Sequence, residues 1–147
     1  MIKDALIEIF ERDLLKLKEE ISLYKDENNL WVTEKQISNA AGNLTLHLIG
    51  NLNHFIGATL GHTGYVRERE KEFSTKNIPL KELLASIDTT VNIVRQTLSS
   101  LTAEDLNKNF PLEKHGQVVK TDFMLLHLLA HLEYHLGQIN YHRRLID

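Results

Sequence analysis

A chain of 147 residues is the size of one domain, long enough to bury a core without disulfides or other staples. With a formal charge of −3 and 25% charged residues, it shows no basic patch for nucleic acid or an anionic membrane. The absence of cysteine excludes a disulfide framework, a thiolate metal ligand and a protein thiol nucleophile, and it fits a cytoplasmic setting.

The N-terminal stretch MIKDALIEIFERD interrupts its apolar residues with charges, unlike the unbroken core of a signal peptide. No stretch approaches the roughly 20 apolar residues that span a bilayer. The first segment, Ile2 to Tyr24, carries Leu6, Ile9, Phe10, Leu14, Leu17 and Ile21 at steps of three and four, the stripe of an amphipathic helix. Glu11, Arg12, Lys18, Glu19 and Glu20 fall largely off it. Lys25 to Asn29 reads as a loop, after which Trp31 and Val32 are expected to cover one end of the core.

The second segment, Ala41 to Leu60, has an apolar face of Leu44, Leu48, Leu52, Phe55 and Ile56. Gly50 and Gly57 lie inside it. Each costs a helix about 1 kcal/mol relative to alanine, so the close approach of a neighbouring helix is expected there. Gly61 and Gly64 end the segment. The polar stretch His62 to Asn77 is long for a link between antiparallel neighbours. It is long enough to return along a bundle, which makes segments two and three parallel. Its Arg67, Arg69 and Glu70 are candidates for an anion-binding or lid element, although such runs are more often solvated loops with local ion pairs.

In the third segment Pro79 suits the first helical turn. Leu80, Leu84, Ile87, Val91, Val94, Leu98 and Leu101 then alternate steps of four and three, a bundle-packing stripe. Thr102 can cap a short turn through Glu104 or Asp105. Asn107 to Lys120 reads as a loop with a small hairpin around Gly116. The fourth segment, Asp122 to Leu145, is apolar over a wide arc through Leu125, Leu126, Leu128, Leu129, Leu132, Leu136 and Ile139, and is expected deep in the bundle.

That last segment also carries His127, His131, His135 and His142. Residues four apart share a helix face, so His131 and His135 can aim two imidazoles at one point. Buried imidazoles need hydrogen-bond partners or a shared cation. A third ligand has to come from another segment. His47 and His54 both lie on segment two, about 10 Å apart along its axis, and spacing does not choose between them.

The stretches NLTLHLIGNLNHFIG and HLLAHLEYHLGQINYHRRL resemble the DinB/YfiT-like superfamily of metalloenzymes, and more closely a subgroup described only as a domain of unknown function. REREKEF is similar to that subgroup as well. Leu136 departs from the arginine common in the HxGQ tetrad of the superfamily. The resemblance implies an all-α, four-helix bundle of up-down-down-up topology, often dimeric. It also implies ligation of a divalent metal by His47, His131 and His135, which selects His47 over His54.

Three neutral imidazoles leave a coordination position open, the arrangement of catalytic rather than structural zinc. Imidazole equally suits nickel, with iron and copper also compatible. Asn51 lies one turn past His47 and Gln138 one turn past His135, placed either to orient a ligand or bound water or to bond backbone as polar core residues. The expected function is a metal-dependent enzyme acting on a small molecule. The resemblance points to transfer of a low-molecular-weight thiol to an electrophile, with a hydrolase as the second enzymatic option. The rival is a non-catalytic metal-binding or oligomerising bundle.

Overall fold

A computed structural model describes residues 2–147, and the fold is all-helical. Helix α1 spans Ile2–Ser22 and is followed by a 3-10 turn, Glu27–Trp31. Helix α2, Ala41–Leu52, continues into a π-helical turn, Asn53–Ala58. Then come α3, Arg69–Ser74, α4, Leu80–Ser100, α5, Ala103–Asn107, and α6, Thr121–Ile146. Among the described residues, β pairing is confined to two isolated bridges.

The apolar stripes meet in one core. Helix α1 buries Leu6, Phe10, Leu14, Leu17 and Ile21. It also buries Asp13 and Glu20, and Glu20 was expected off the stripe. Glu20 accepts hydrogen bonds from Asn140 at 2.9 Å and Arg143 at 3.3 Å, which offsets the cost of burying its charge. In α4 the buried line begins at Leu83, while Leu80 and Leu84 are only half-buried. This arc includes Thr90 and Thr97 and is wider than the expected stripe, because α4 packs against both α1 and α2. Leu126, placed in the apolar arc of α6, is exposed, whereas Met124 and His142 are buried.

Side-chain pairs fix the helix directions. Lys3 donates to the Leu101 carbonyl at 3.0 Å and Lys18 to Asp88 at 2.8 Å, so α1 and α4 run oppositely. Arg12 bonds Glu133 at 3.1 Å and Asn140 bonds Glu20 at 2.9 Å, so α1 and α6 run together. Helix α2 follows α4: Asn53 donates to Thr90 at 2.9 Å, and Gly57 lies against Ile93. Both α1 and α2 pack on both α4 and α6. The connection 62–77 thus carries the chain back along the molecule, as its length allows, but it is not a plain loop, since it contains α3.

Two local devices position loops. Thr102 caps α5 in a reciprocal capping box with Asp105. Farther on, Lys114 and Gln117 exchange backbone hydrogen bonds at 2.8 and 3.0 Å across His115 and Gly116. Both of these central residues have positive φ, 50° and 74°, the geometry of a tight two-residue turn. It brings Lys114 and His115 to the wall of a cavity between α2 and α6.

Candidate metal centre

His47 is buried midway along α2, and His131 and His135 stand one turn apart on α6. The three rings converge. His131 Nε2 lies 3.1 Å from the Nε2 of His47 and 3.1 Å from that of His135. One ligand atom from each histidine falls within 4.8 Å of the other two. His54, His62, His115, His127 and His142 stand outside this group. The His54 ring instead packs edge-on against Phe55, with centroids 4.6 Å apart.

The outer ring nitrogens decide what the inner ones can do. His47 Nδ1 lies 3.0 Å from Glu72 Oε1. Arg67 donates from Nε and Nη2 to the two oxygens of Glu72, each at 2.9 Å, and its Nη2 also lies 3.3 Å from His47 Nδ1. The carboxylate is the nearer partner of that ring nitrogen and can only accept, which favours the proton on His47 Nδ1. His135 Nδ1 donates to Gln138 Oε1 at 2.7 Å. Both inner Nε2 atoms therefore present lone pairs, and His131 Nε2 faces them at hydrogen-bond distance. A single proton on His131 cannot serve both neighbours well, whereas a cation satisfies all three. Burial, then the neighbouring imidazoles His135 and His47, pushes His131 down to about 3, and burial also lowers His47. These two rings are held neutral, the ligand-competent form.

Two more buried polar atoms border the cluster. Asn51 Oδ1 and His131 Nδ1 have no hydrogen-bond partner among the described residues. Asn51, expected to orient a ligand, has its carbonyl oxygen unengaged, while Gln138 already orients His135. Cavities flank the histidines on two sides. One of about 310 Å³ is lined by His47, Asn51, His127 and His131. Another of about 540 Å³ is lined by His135, Gln138, Leu44 and Tyr134.

Glu72 is the residue that sequence reasoning missed. It comes from the six-residue α3 and is only 6% exposed. Its trace in the sequence is Gly50: a Cβ there would sit 1.9 Å from Glu72 Oε2. A neighbouring helix comes close at both glycines, as expected: at Gly50 it is α3, through the Glu72 carboxylate, and at Gly57 it is α4, through Ile93. Arg67 belongs to the same assembly as the partner of Glu72, whereas Glu70 is exposed.

No curated protein matches this chain. A family model described as "Protein of unknown function (DUF1572)" matches residues 4–147, which takes in His47, Glu72, His131 and His135 together, and on that match the chain belongs to the DUF1572 family.

Proposed function

We propose that this chain is a four-helix bundle of the up-down-down-up, DinB/YfiT-like kind that holds one divalent metal ion with His47, His131 and His135 and uses it to activate a small molecule. The pairwise helix directions favour that topology. The observation that carries the metal reading is the convergence of three Nε2 atoms, two of them fixed as lone-pair donors by Glu72 and Gln138. Zinc or nickel suits this donor set, with iron also compatible.

Bound there, the ion would supply Lewis acidity and lower the pKa of a coordinated thiol or water. The chain's own residues do the rest. Glu72 and Gln138 hold the rings of His47 and His135 in orientation. Asn51 Oδ1 is free to accept a hydrogen bond from a coordinated water, or from the thiol before it ionises. Cavities on two sides of the histidines leave room for two reactants. That room favours the transfer of a low-molecular-weight thiol to an electrophile over a purely structural site. In a cysteine-free chain the thiol has to come from the cosubstrate. Hydrolysis is the second reading, favoured by the unengaged Asn51 oxygen.

Metal quantification on untagged protein tests the site. Alanine at His47, His131 or His135 should abolish occupancy, while alanine at His62 should leave it intact. Full occupancy in His131→Ala would overturn the site. We further propose a cytoplasmic homodimer. Phe123, Leu126, Tyr134, Tyr141 and Leu145 leave α6 with exposed apolar side chains that a second copy could cover. Light scattering that gives a monomer at micromolar concentration would refute the dimer. No helix among the described residues is long and apolar enough to cross a membrane.

A further inference from the structure

The cavity of about 310 Å³ beside His131 is bounded by α2, α6, the connection after α2 and the Lys114–Gln117 turn. Its volume suits one end of a small metabolite. Its wall is cationic although the chain as a whole is negative. Arg67 is neutralised by Glu72, but Arg69 and Lys114 form no ion pair among the described residues. The Arg69 guanidinium, on an exposed residue, lies 5.3 Å from the Phe73 ring centroid and has no carboxylate within ion-pair distance among the described residues. Lys114 is half-buried, likewise without an acidic partner among the described residues, and the tight turn fixes its backbone. The single acidic residue in the wall is Glu113. His127, on the same wall, has its pKa lowered by burial first and then by the charges of Lys114 and His115, a sign of that positive field.

Of the three buried side-chain atoms without a partner among the described residues, two belong to this cavity, Asn51 Oδ1 and His131 Nδ1, and the third, Asp13 Oδ2, lies outside it. Once His131 Nε2 turns its lone pair to the centre, Nδ1 carries the proton and becomes a donor without an acceptor. That donor and the two cations belong to the lining of one cavity, where an anionic group would find all of them. The three neutral imidazoles also leave the charge of a divalent ion uncompensated.

We propose that this cavity is the subsite for an anionic group, a carboxylate or a phosphate, of a small substrate that reacts at the three-histidine centre. The proposal rests on the metal reading above for the identity of that centre. Arg69 and Lys114 bind the anion, the His131 Nδ1–H donates to it, and Asn51 Oδ1 accepts from a thiol, hydroxyl or amine of the same molecule. The substrate is thus selected by charge at one end and by nucleophile at the other.

Two titrations separate this proposal from the metal reading. In the metal-free protein, acetate and inorganic phosphate are added at constant ionic strength while the ring signals of His115 and His127 are followed by NMR. At least one anion should give saturable shifts, weakened about tenfold in an Arg69→Ala/Lys114→Ala double variant. The tighter of the two anions identifies the headgroup. Shifts no larger than those produced by chloride, or unchanged in the double variant, overturn the subsite. In the cobalt-loaded protein, the thiolate absorption band should saturate with 3-mercaptopropionate at about tenfold lower concentration than with 2-mercaptoethanol. The double variant should erase that difference. Equal saturation by the two thiols in the unmodified chain overturns the subsite. Failure to take up cobalt overturns the metal reading instead, and the first titration then decides the fate of the cavity.

Discussion

At Glu72 one buried carboxylate takes hydrogen bonds from Arg67 and His47, and it occupies space that only a glycine at position 50 leaves open. A buried carboxylate costs several kcal/mol unless it is paired, so the two bonds from Arg67 are what let Glu72 serve His47. Glu72→Gln keeps the shape but not the charge. Metal affinity should fall about 10–100-fold, measured by competition with a chelator, and unchanged affinity would remove Glu72 from the centre. Gly50→Ala drives a methyl group into the same carboxylate. It should cost about 1–3 kcal/mol in urea unfolding and weaken metal binding with it. His142 marks the opposite case on α6. Its Nε2–H donates to the Val32 carbonyl at 2.7 Å, and its Nδ1 accepts from the Tyr24 hydroxyl at 2.6 Å. His142→Ala strands both partners, so stability should drop by about 2–4 kcal/mol while metal occupancy is retained.

Among the elements, the four long helices were legible because each buries a stripe at helical spacing, and the segment limits fall within a few residues of the helices. The histidine pair on α6 was legible for the same reason: two residues one turn apart share a face. Helix α3 was not. It has six residues, its sequence REKEFS is mostly charged, and its buried residue is itself an acid, so hydrophobic periodicity carries no trace of it. The π turn was equally silent. It begins at Asn53, whose side chain donates to the Ile49 carbonyl and to Thr90 of α4, and the second of these bonds depends on tertiary neighbours. It begins after His47 and contains His54, the two candidates that spacing left undecided, and only His47 joins the cluster. The cap of α5 could be read from sequence, and its test is simple. Thr102→Ala should lower stability by about 1 kcal/mol, seen as a small fall in Tm without loss of metal.

For the whole molecule, the buried imidazoles set a pH dependence. His47, His131 and His142 all have pKa values lowered by burial, His131 to about 3. In the unfolded chain the same groups titrate near 6.5. Below that pH the unfolded state binds protons that the folded state refuses, so stability is lost as pH falls from about 6.5 toward 3. Thermal melts of the metal-free protein should therefore show Tm declining steadily from pH 7 to pH 4, with a shallower slope in His131→Gln. A flat profile over that range would mean that these rings titrate as if solvated. Metal should steepen the decline, because protons and the ion compete for the same lone pairs.

The acid that orients His47 is delivered by the connection between α2 and α4, and this makes that connection a reporter of the centre. Val66, 81% exposed, lies six residues before Glu72, where a protease can reach the chain once the segment loosens. Loosening pulls Glu72 away from His47, and if that weakens metal affinity by some factor, thermodynamic reciprocity requires metal to suppress the loosening by the same factor. Occupancy should thus slow cleavage near Val66 in parallel with slower amide exchange across Arg69–Ser74, and Glu72→Gln should uncouple both from the ion.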